Sequence, residues 1–184
     1  MKHIDQLIPT EEELLNTEYN YQAELTAKLD LFEDDFTQDT INEIVLWKIN
    51  RFTALDSQTL NLLNQISKDD RILNLELTKE VLTRLLHKQQ KGIRLAMAST
   101  ILRFKNPSLY QIIDQRVYRF LYGRELLYSV NDTNQQIDLY LDYLTKLREV
   151  SETHRIAFEQ ADRVFYSMDK TQNSELKLKG YGRS

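Results

Sequence analysis

The 184-residue chain has no cysteine, two prolines, four glycines and three histidines. Without cysteine there is no disulfide framework and no thiolate-ligated zinc or iron–sulfur centre. His3, His87 and His154 are far apart and show no ligand spacing, so no metal is expected. There is no Gly-rich phosphate loop, nucleophile elbow or paired-carboxylate helix motif, and no cofactor is expected. No apolar run approaches the ~18–20 residues a membrane span needs. The opening Met1-Lys2-His3-Ile4-Asp5 lacks the apolar stretch of a signal peptide. The expectation is a cytoplasmic protein with no membrane contact.

So few glycines and prolines also argue against a sheet protein, which needs many tight turns. Apolar residues recur at three and four. Ile41, Ile44, Val45, Ile49 and Phe52 trace one face; Ile137, Tyr140, Leu141, Leu144 and Leu147 trace another; Ala157, Ala161, Val164, Phe165 and Met168 trace a third. That is the helical period. The fold class is all-α, with about eight helices in a single domain over 1–170 and a flexible polar tail over 171–184. Thr10 with Glu13 forms a capping-box pattern, so the first helix is expected over 11–32. Asp39 or Thr40 caps a second helix to about 52, and Ser57 opens a third to about 68. Thr78 opens a fourth to about 88, and a fifth runs over 94–105. Asn106-Pro107 stops the fifth helix, because the residue before proline is pushed out of the α region. Asp114 caps a sixth, ended by Gly123. The last two are expected over 134–150 and 154–170.

The net charge of −4 hides an uneven distribution. Residues 1–41 carry eleven acids and two bases. Residues 84–124 carry nine bases and one acid, Asp114, a local +8. Two readings account for that block. Basic helices four to six can pack beside the acidic N-terminal helix and pair with it, or they can form one local phosphate-binding face, since nucleic-acid affinity comes mostly from cations releasing counterions.

The most informative stretch runs Lys91-Gly92-Ile93-Arg94-Leu95-Ala96-Met97-Ala98-Ser99, then Phe104, Pro107 and Ile112-Ile113-Asp114-Gln115-Arg116-Val117. It reads as helix, glycine turn, helix, loop, then an Asp opening another helix. This resembles the core of the helix-hairpin-helix DNA glycosylase superfamily. Gly92 falls on the first hairpin glycine, Ala98 on the alanine of the following helix, Asp114 on the catalytic aspartate and Val117 on the valine after it. The chain departs from the pattern twice. Arg94 stands at the second hairpin glycine, and Ala96 stands where bifunctional members carry the Schiff-base lysine. The chain also resembles an outlying bacterial branch through Trp47-Lys48-Ile49-Asn50-Arg51, through Ala98-Ser99-Thr100-Ile101-Leu102-Arg103-Phe104-Lys105-Asn106-Pro107, and through a late Asp162-Arg163-Val164-Phe165-Tyr166.

The resemblance implies a helix-hairpin-helix unit at about 78–105 and a DNA partner. It implies monofunctional base excision through Asp114 alone, without lyase activity. Lys88, Lys91, Gly92, Arg94 and Arg116 are the candidate nucleic-acid contacts. Trp47, Lys48 and Arg51 are candidates for a pocket that grips an extruded base. A groove between the N-terminal helices and 78–170 is expected, with Asp114 near its mouth. Each residue also has a structural reading. Asp114 serves as a helix cap, Gly92 as a helix stop, and Trp47 as a core-edge ring with Arg51 stacked on it. Two alternatives remain open at this point: a catalytically inactive DNA-binding relative, and a helical protein-interaction module. The last predicts a flat or apolar patch and a buried Asp114 with backbone partners only.

Overall fold

The computed structural model describes residues 22–49, 53, 55–87 and 92–178. Among them the chain forms eight α-helices, one 3-10 turn and no strand. This is the all-α class that the apolar period predicts. The chain gathers into two compact units, Met1–Phe52 and Thr53–Ser184. No helix among the described residues is long and apolar enough to cross a membrane.

In the first unit, α1 (Ala23–Asp30) packs against α2 (Gln38–Lys48). Residues 11–21 of the expected first helix lie outside the described residues. The Trp47 indole donates to Thr26 Oγ1 at 2.8 Å, and the Gln22 amide donates to the Trp47 carbonyl at 2.9 Å. Ile41, Val45, Leu46 and Ile49 remain exposed, so most of the apolar line predicted on this helix is not core. Phe52, its last member, lies outside the described residues.

The second unit contains α3 (Ser57–Leu63), α4 (Leu75–Leu85), α5 (Leu95–Lys105), α6 (Gln115–Tyr122) and α7 (Thr133–Thr153). A 3-10 turn, Phe158–Gln160, then leads into α8 (Ala161–Gln172). The helix α4 packs on α3 and α7, and α6 packs on α8 and α7. Their apolar faces close on a core that includes Val81, Leu82 and Leu85 of α4, Leu95, Ala98 and Leu102 of α5, and Tyr140, Tyr143 and Leu147 of α7. Each fully buried aliphatic side chain contributes roughly 1.5–3 kcal/mol.

The N-caps of α2, α3 and α4 lie upstream of the predicted ones. Thr37 caps α2 and exchanges hydrogen bonds with Thr40, which answers it three residues on. Asp56, not Ser57, caps α3 through Thr59 N at 2.7 Å. Asn74 caps α4, while Thr78 sits inside that helix with its hydroxyl 2.8 Å from the Tyr110 hydroxyl. Gly123, at φ 65°, ends α6 as expected.

The segment at 154–160 differs more. It is not the start of the last helix but the end of α7. Arg155 N–H reaches Glu152 O at 3.2 Å and Ile156 N–H reaches Ser151 O at 2.8 Å, the pair of bonds that closes a helix over a left-handed residue. That residue is Arg155, at φ 56°. A left-handed conformation costs a side chain-bearing residue roughly 1–2 kcal/mol. The chain then makes the 3-10 turn, and α8 begins only at Ala161.

The α6–α8 contact combines an apolar pair with a charged clamp. Phe120 and Phe165 stack at 6.0 Å. Asp169, fully buried on α8, accepts from Arg119 Nε at 2.9 Å and Arg119 Nη2 at 2.7 Å, from Arg116 Nη1 at 3.3 Å and from Asn173 Nδ2 at 2.7 Å. Burial alone raises the Asp169 carboxyl pKa, but the bonds from Arg119, Asn173 and Arg116 outweigh it and the net shift is downward.

Replacing the exposed Arg155 by glycine relieves the left-handed strain and should raise stability by about 1 kcal/mol, read as a higher urea midpoint with unchanged slope. Asp169→Asn should lower stability at pH 7 by about 3 kcal/mol, because it strips a buried clamp of its charge. Because Asp169 titrates below its unfolded value, its contribution is complete above about pH 4 and fades as pH falls through the lower folded value. The gap between wild type and Asp169→Asn should therefore narrow when the urea series is repeated near pH 3.

Candidate active site around Asp114

Asp114 follows an irregular loop whose backbone is held by side chains from three helices. Loops normally stay near solvent because their polar backbone needs partners. Here the partners come from within the fold. Tyr140 Oη of α7 donates to Gln111 O at 2.9 Å, and Tyr143 Oη donates to Ile112 O at 2.6 Å. Ile112 N donates to Asp162 Oδ2 of α8 at 3.2 Å, and Ile113 N donates to Ser99 Oγ of α5 at 3.2 Å. Burial pushes both phenols well above their ordinary pKa, so both hydroxyls keep their protons and remain donors. Upstream, the fully buried Asn106 ties the loop to Ser67 O at 2.7 Å and Asp70 O at 3.1 Å, and accepts from Ser108 N at 2.9 Å. The Ala-Ser and Asn-Pro pairs of the sequence thus have local work: Ala98 fills core, Ser99 catches the loop, and Asn106 turns the chain.

At the loop's end Asp114 caps α6 as predicted. Oδ1 accepts from Arg116 N at 2.7 Å, and Oδ2 accepts no hydrogen bond among the described residues. The side chain is half-buried and lines a cavity of about 300 Å³. Ile112, Val117, Asp162, Arg163 and Tyr166 complete the lining. All six belong to the second unit, whereas the expected groove drew on the N-terminal helices. They come from two short segments, 112–117 and 162–166, the same two that the sequence singled out separately. Arg163 and Tyr166 are exposed at the rim, and the Arg116 guanidinium lies 5.8 Å from the Tyr166 ring centroid. A carboxyl oxygen beside a small, largely apolar cavity can stabilise a developing positive charge or take a proton from an attacking water.

The second carboxyl, Asp162, was not among the predicted site residues. It is 3% exposed. Its Oδ2 receives Ile112 N–H and lies 3.9 Å from Nε of the buried Arg103, while its Oδ1 has no partner. The signal that could have found it was the Asp-Arg-x-x-Tyr pattern: an Asp and a Tyr four apart share one helix face.

The other predicted residues disperse. Gly92 has φ 84° and lies two residues before Arg94, the first flanking residue of α5. It therefore leads into α5 and does not stop α4, which ends at Leu85. Arg94 is exposed, and α5 starts without a side-chain cap. Arg116 is committed to Asp169, so part of the basic block pairs internally, as do Arg119 and Arg103. Trp47 and Lys48 lie on α2 of the first unit, Trp47 bonded to Thr26 and Lys48 exposed. Lys88, Lys91 and Arg51 fall outside the described residues. Among the described residues no three His, Asp or Glu side chains gather to hold a metal ion.

No protein-family model matches the chain, and no curated protein and no solved structure matches it either.

Tyr143→Phe leaves the Ile112 carbonyl without its phenol donor at the root of the site. The variant should lose roughly 1–3 kcal/mol of stability by urea unfolding. Its amide NMR shifts should move most at Ile112, Ile113 and Asp114.

Proposed function

We propose that this protein is a DNA-binding, helix-hairpin-helix glycosylase-like protein that excises a base through Asp114 alone. The observation that carries this reading is the cavity at Asp114. The aspartate singled out by motif spacing borders a recess of about 300 Å³, at the lower end of the ~300–1,000 Å³ range of small-molecule sites.

In this reading, the hairpin spans α4, the turn at Gly92 and α5. The backbone N–H groups at the start of α5, uncapped by a side chain, suit a phosphate. Arg94 adds charge beside it, and Lys88 and Lys91 precede it closely in sequence. The extruded nucleotide enters past Arg163 and Tyr166, with the arginine for phosphate and the ring for stacking. As the C1′–N bond breaks, positive charge builds on the sugar. The free oxygen of Asp114 stabilises that charge or takes a proton from water, as carboxylates do in other glycosyl hydrolysis. Water supplies hydroxyl to C1′ and the base leaves protonated at the nitrogen it used for the bond. Ala96 has no amine, so no Schiff base forms and the strand stays intact.

A second reading has its own support. Ile41, Val45, Leu46 and Ile49 stay exposed along α2, an apolar surface suited to a protein partner. A catalytically inactive, DNA-binding relative is the intermediate case.

The test is an excision assay on duplexes carrying a panel of damaged and mispaired bases, paired with salt-titrated binding to single- and double-stranded DNA. Wild type should release base without nicking the strand. Asp114→Asn should slow release by about 100-fold or more while leaving the salt slope of binding intact. Equal excision by both proteins would remove Asp114 from catalysis. Salt-dependent binding with no excision on any duplex would favour the inactive relative.

A further inference from the structure

We infer that α2 is a docking surface for a basic amphipathic helix of another protein: its apolar ridge meets that helix's apolar side, and the acids around it meet the cations. The inference rests on the protein-partner reading of α2, adds the chemistry of the partner, and is independent of the cavity at Asp114.

The two sides of α2 differ. Residues three and four apart share a side of a helix, whereas at 100° per residue a neighbour two positions away falls on the opposite side. The inner side packs on α1: Thr40 is buried, the Trp47 indole donates to Thr26 Oγ1 at 2.8 Å, and Glu43 pairs with Lys28. Val45 and Ile49 each stand two residues from Trp47 and lie on the outer side. With Ile41 they form a row at four-residue steps, 43%, 51% and 53% exposed from Ile41 to Ile49, and the exposed Leu46 widens it. Such a row is the ridge that a second helix straddles in ridge-into-groove packing. Among the described residues of this unit Leu25 is the one buried apolar side chain, so the ridge does not continue into a core.

Charge selects the occupant. Residues 1–52 carry twelve acids and four bases. The loop from α1 into α2 presents Asp30, Glu33, Asp34 and Asp35, and α2 opens with Asp39; all five are exposed. The exposed side chains of Leu31 and Phe36 stand among them. None of these five acids is in an ion pair among the described residues, where the acid of this unit so engaged is Glu43. A second copy would bring the same excess of acid, and anionic lipid or DNA phosphate would be repelled likewise. A helix with aliphatic residues on one side and lysine or arginine on the other matches both the ridge and the field. A contact of one helix side falls below the ~1,200 Å² of standard interfaces, so the complex is transient.

The experiment measures the anisotropy of labelled peptides of about 18 residues, long enough to be helical, titrated with the full-length protein. The first has leucine at three- and four-residue steps and lysine elsewhere. The second replaces lysine by glutamate, and the third shuffles the first so that no apolar side forms. The leucine–lysine helix should bind about tenfold or more tightly than either, with an advantage that shrinks in salt. Its amide NMR shifts should centre on Ile41, Val45, Leu46 and Ile49. Val45→Ser with Ile49→Ser should weaken binding by about tenfold, and because both residues are exposed the fold is retained. Asp34→Asn with Asp35→Asn should weaken it by about threefold and flatten its salt dependence. Equal binding of the lysine and glutamate helices overturns the basic partner and leaves α2 a protein surface. Equal binding of the shuffled peptide, or binding untouched by the Val45 and Ile49 substitutions, overturns docking on the ridge. Self-association of the free protein that those substitutions abolish identifies a second copy as the occupant. Shifts of the same amides with phosphatidylcholine vesicles and not with the peptide identify a lipid surface. Either result overturns the inference, as does failure of every peptide to bind, whatever the excision assay shows.

Discussion

The second unit depends on one requirement: the backbone of residues 111–113 runs without regular secondary structure among helices and must find hydrogen-bond partners there. Four side chains supply them, Ser99 from α5, Tyr140 and Tyr143 from α7, and Asp162 from α8. Because unmet buried amides and carbonyls are costly, these helices cannot shift independently of the loop. The start of α6 follows from the loop's path, and with it the direction of Asp114. The cavity is then the space left where the start of α6 meets the start of α8.

The same arrangement explains much of the basic segment. Arg103, Arg116 and Arg119 reach the two buried carboxyls of α8, Asp162 and Asp169. Three of the nine bases in 84–124 are therefore counter-ions of the interior, and the local +8 overstates the cationic surface. Arg94 and Arg124 remain exposed, and Arg163, outside the segment, joins them at the cavity rim. Any phosphate face draws on the remaining bases of the block together with Arg163 from outside it. Asp162 differs from Asp169 in a telling way. Asp169 is saturated by four hydrogen bonds, whereas Asp162 Oδ1 is buried and accepts none among the described residues.

Helix positions were legible in the sequence because the apolar period and the scarcity of glycine and proline act locally. Caps were less so. Where cap-competent residues follow one another, the earlier one wins: Thr37 before Thr40, Asp56 before Ser57, Asn74 before Thr78. Nothing in the periodicity at 154–160 shows that Arg155 turns left-handed, since the bonds that close α7 depend on the path to Phe158, a buried residue. The apolar line on α2 shows the opposite limit. Its spacing is helical, but spacing says nothing about what covers it. The cap at Asp114 was legible because an aspartate directly before an apolar helical run is a strong local start signal. Asp162 was not, because its partners lie 50 and 59 positions away, at Ile112 and Arg103.

Connecting segments are ordinarily the first parts of a protein to open. The Ile112 and Ile113 amides are exceptions, because their acceptors sit on α8 and α5 and not within their own turn. To free either proton to solvent, the loop must part from a neighbouring helix. This connecting segment therefore behaves as a keystone, and its amide protons exchange with the deepest helices of the unit and not with its surface turns.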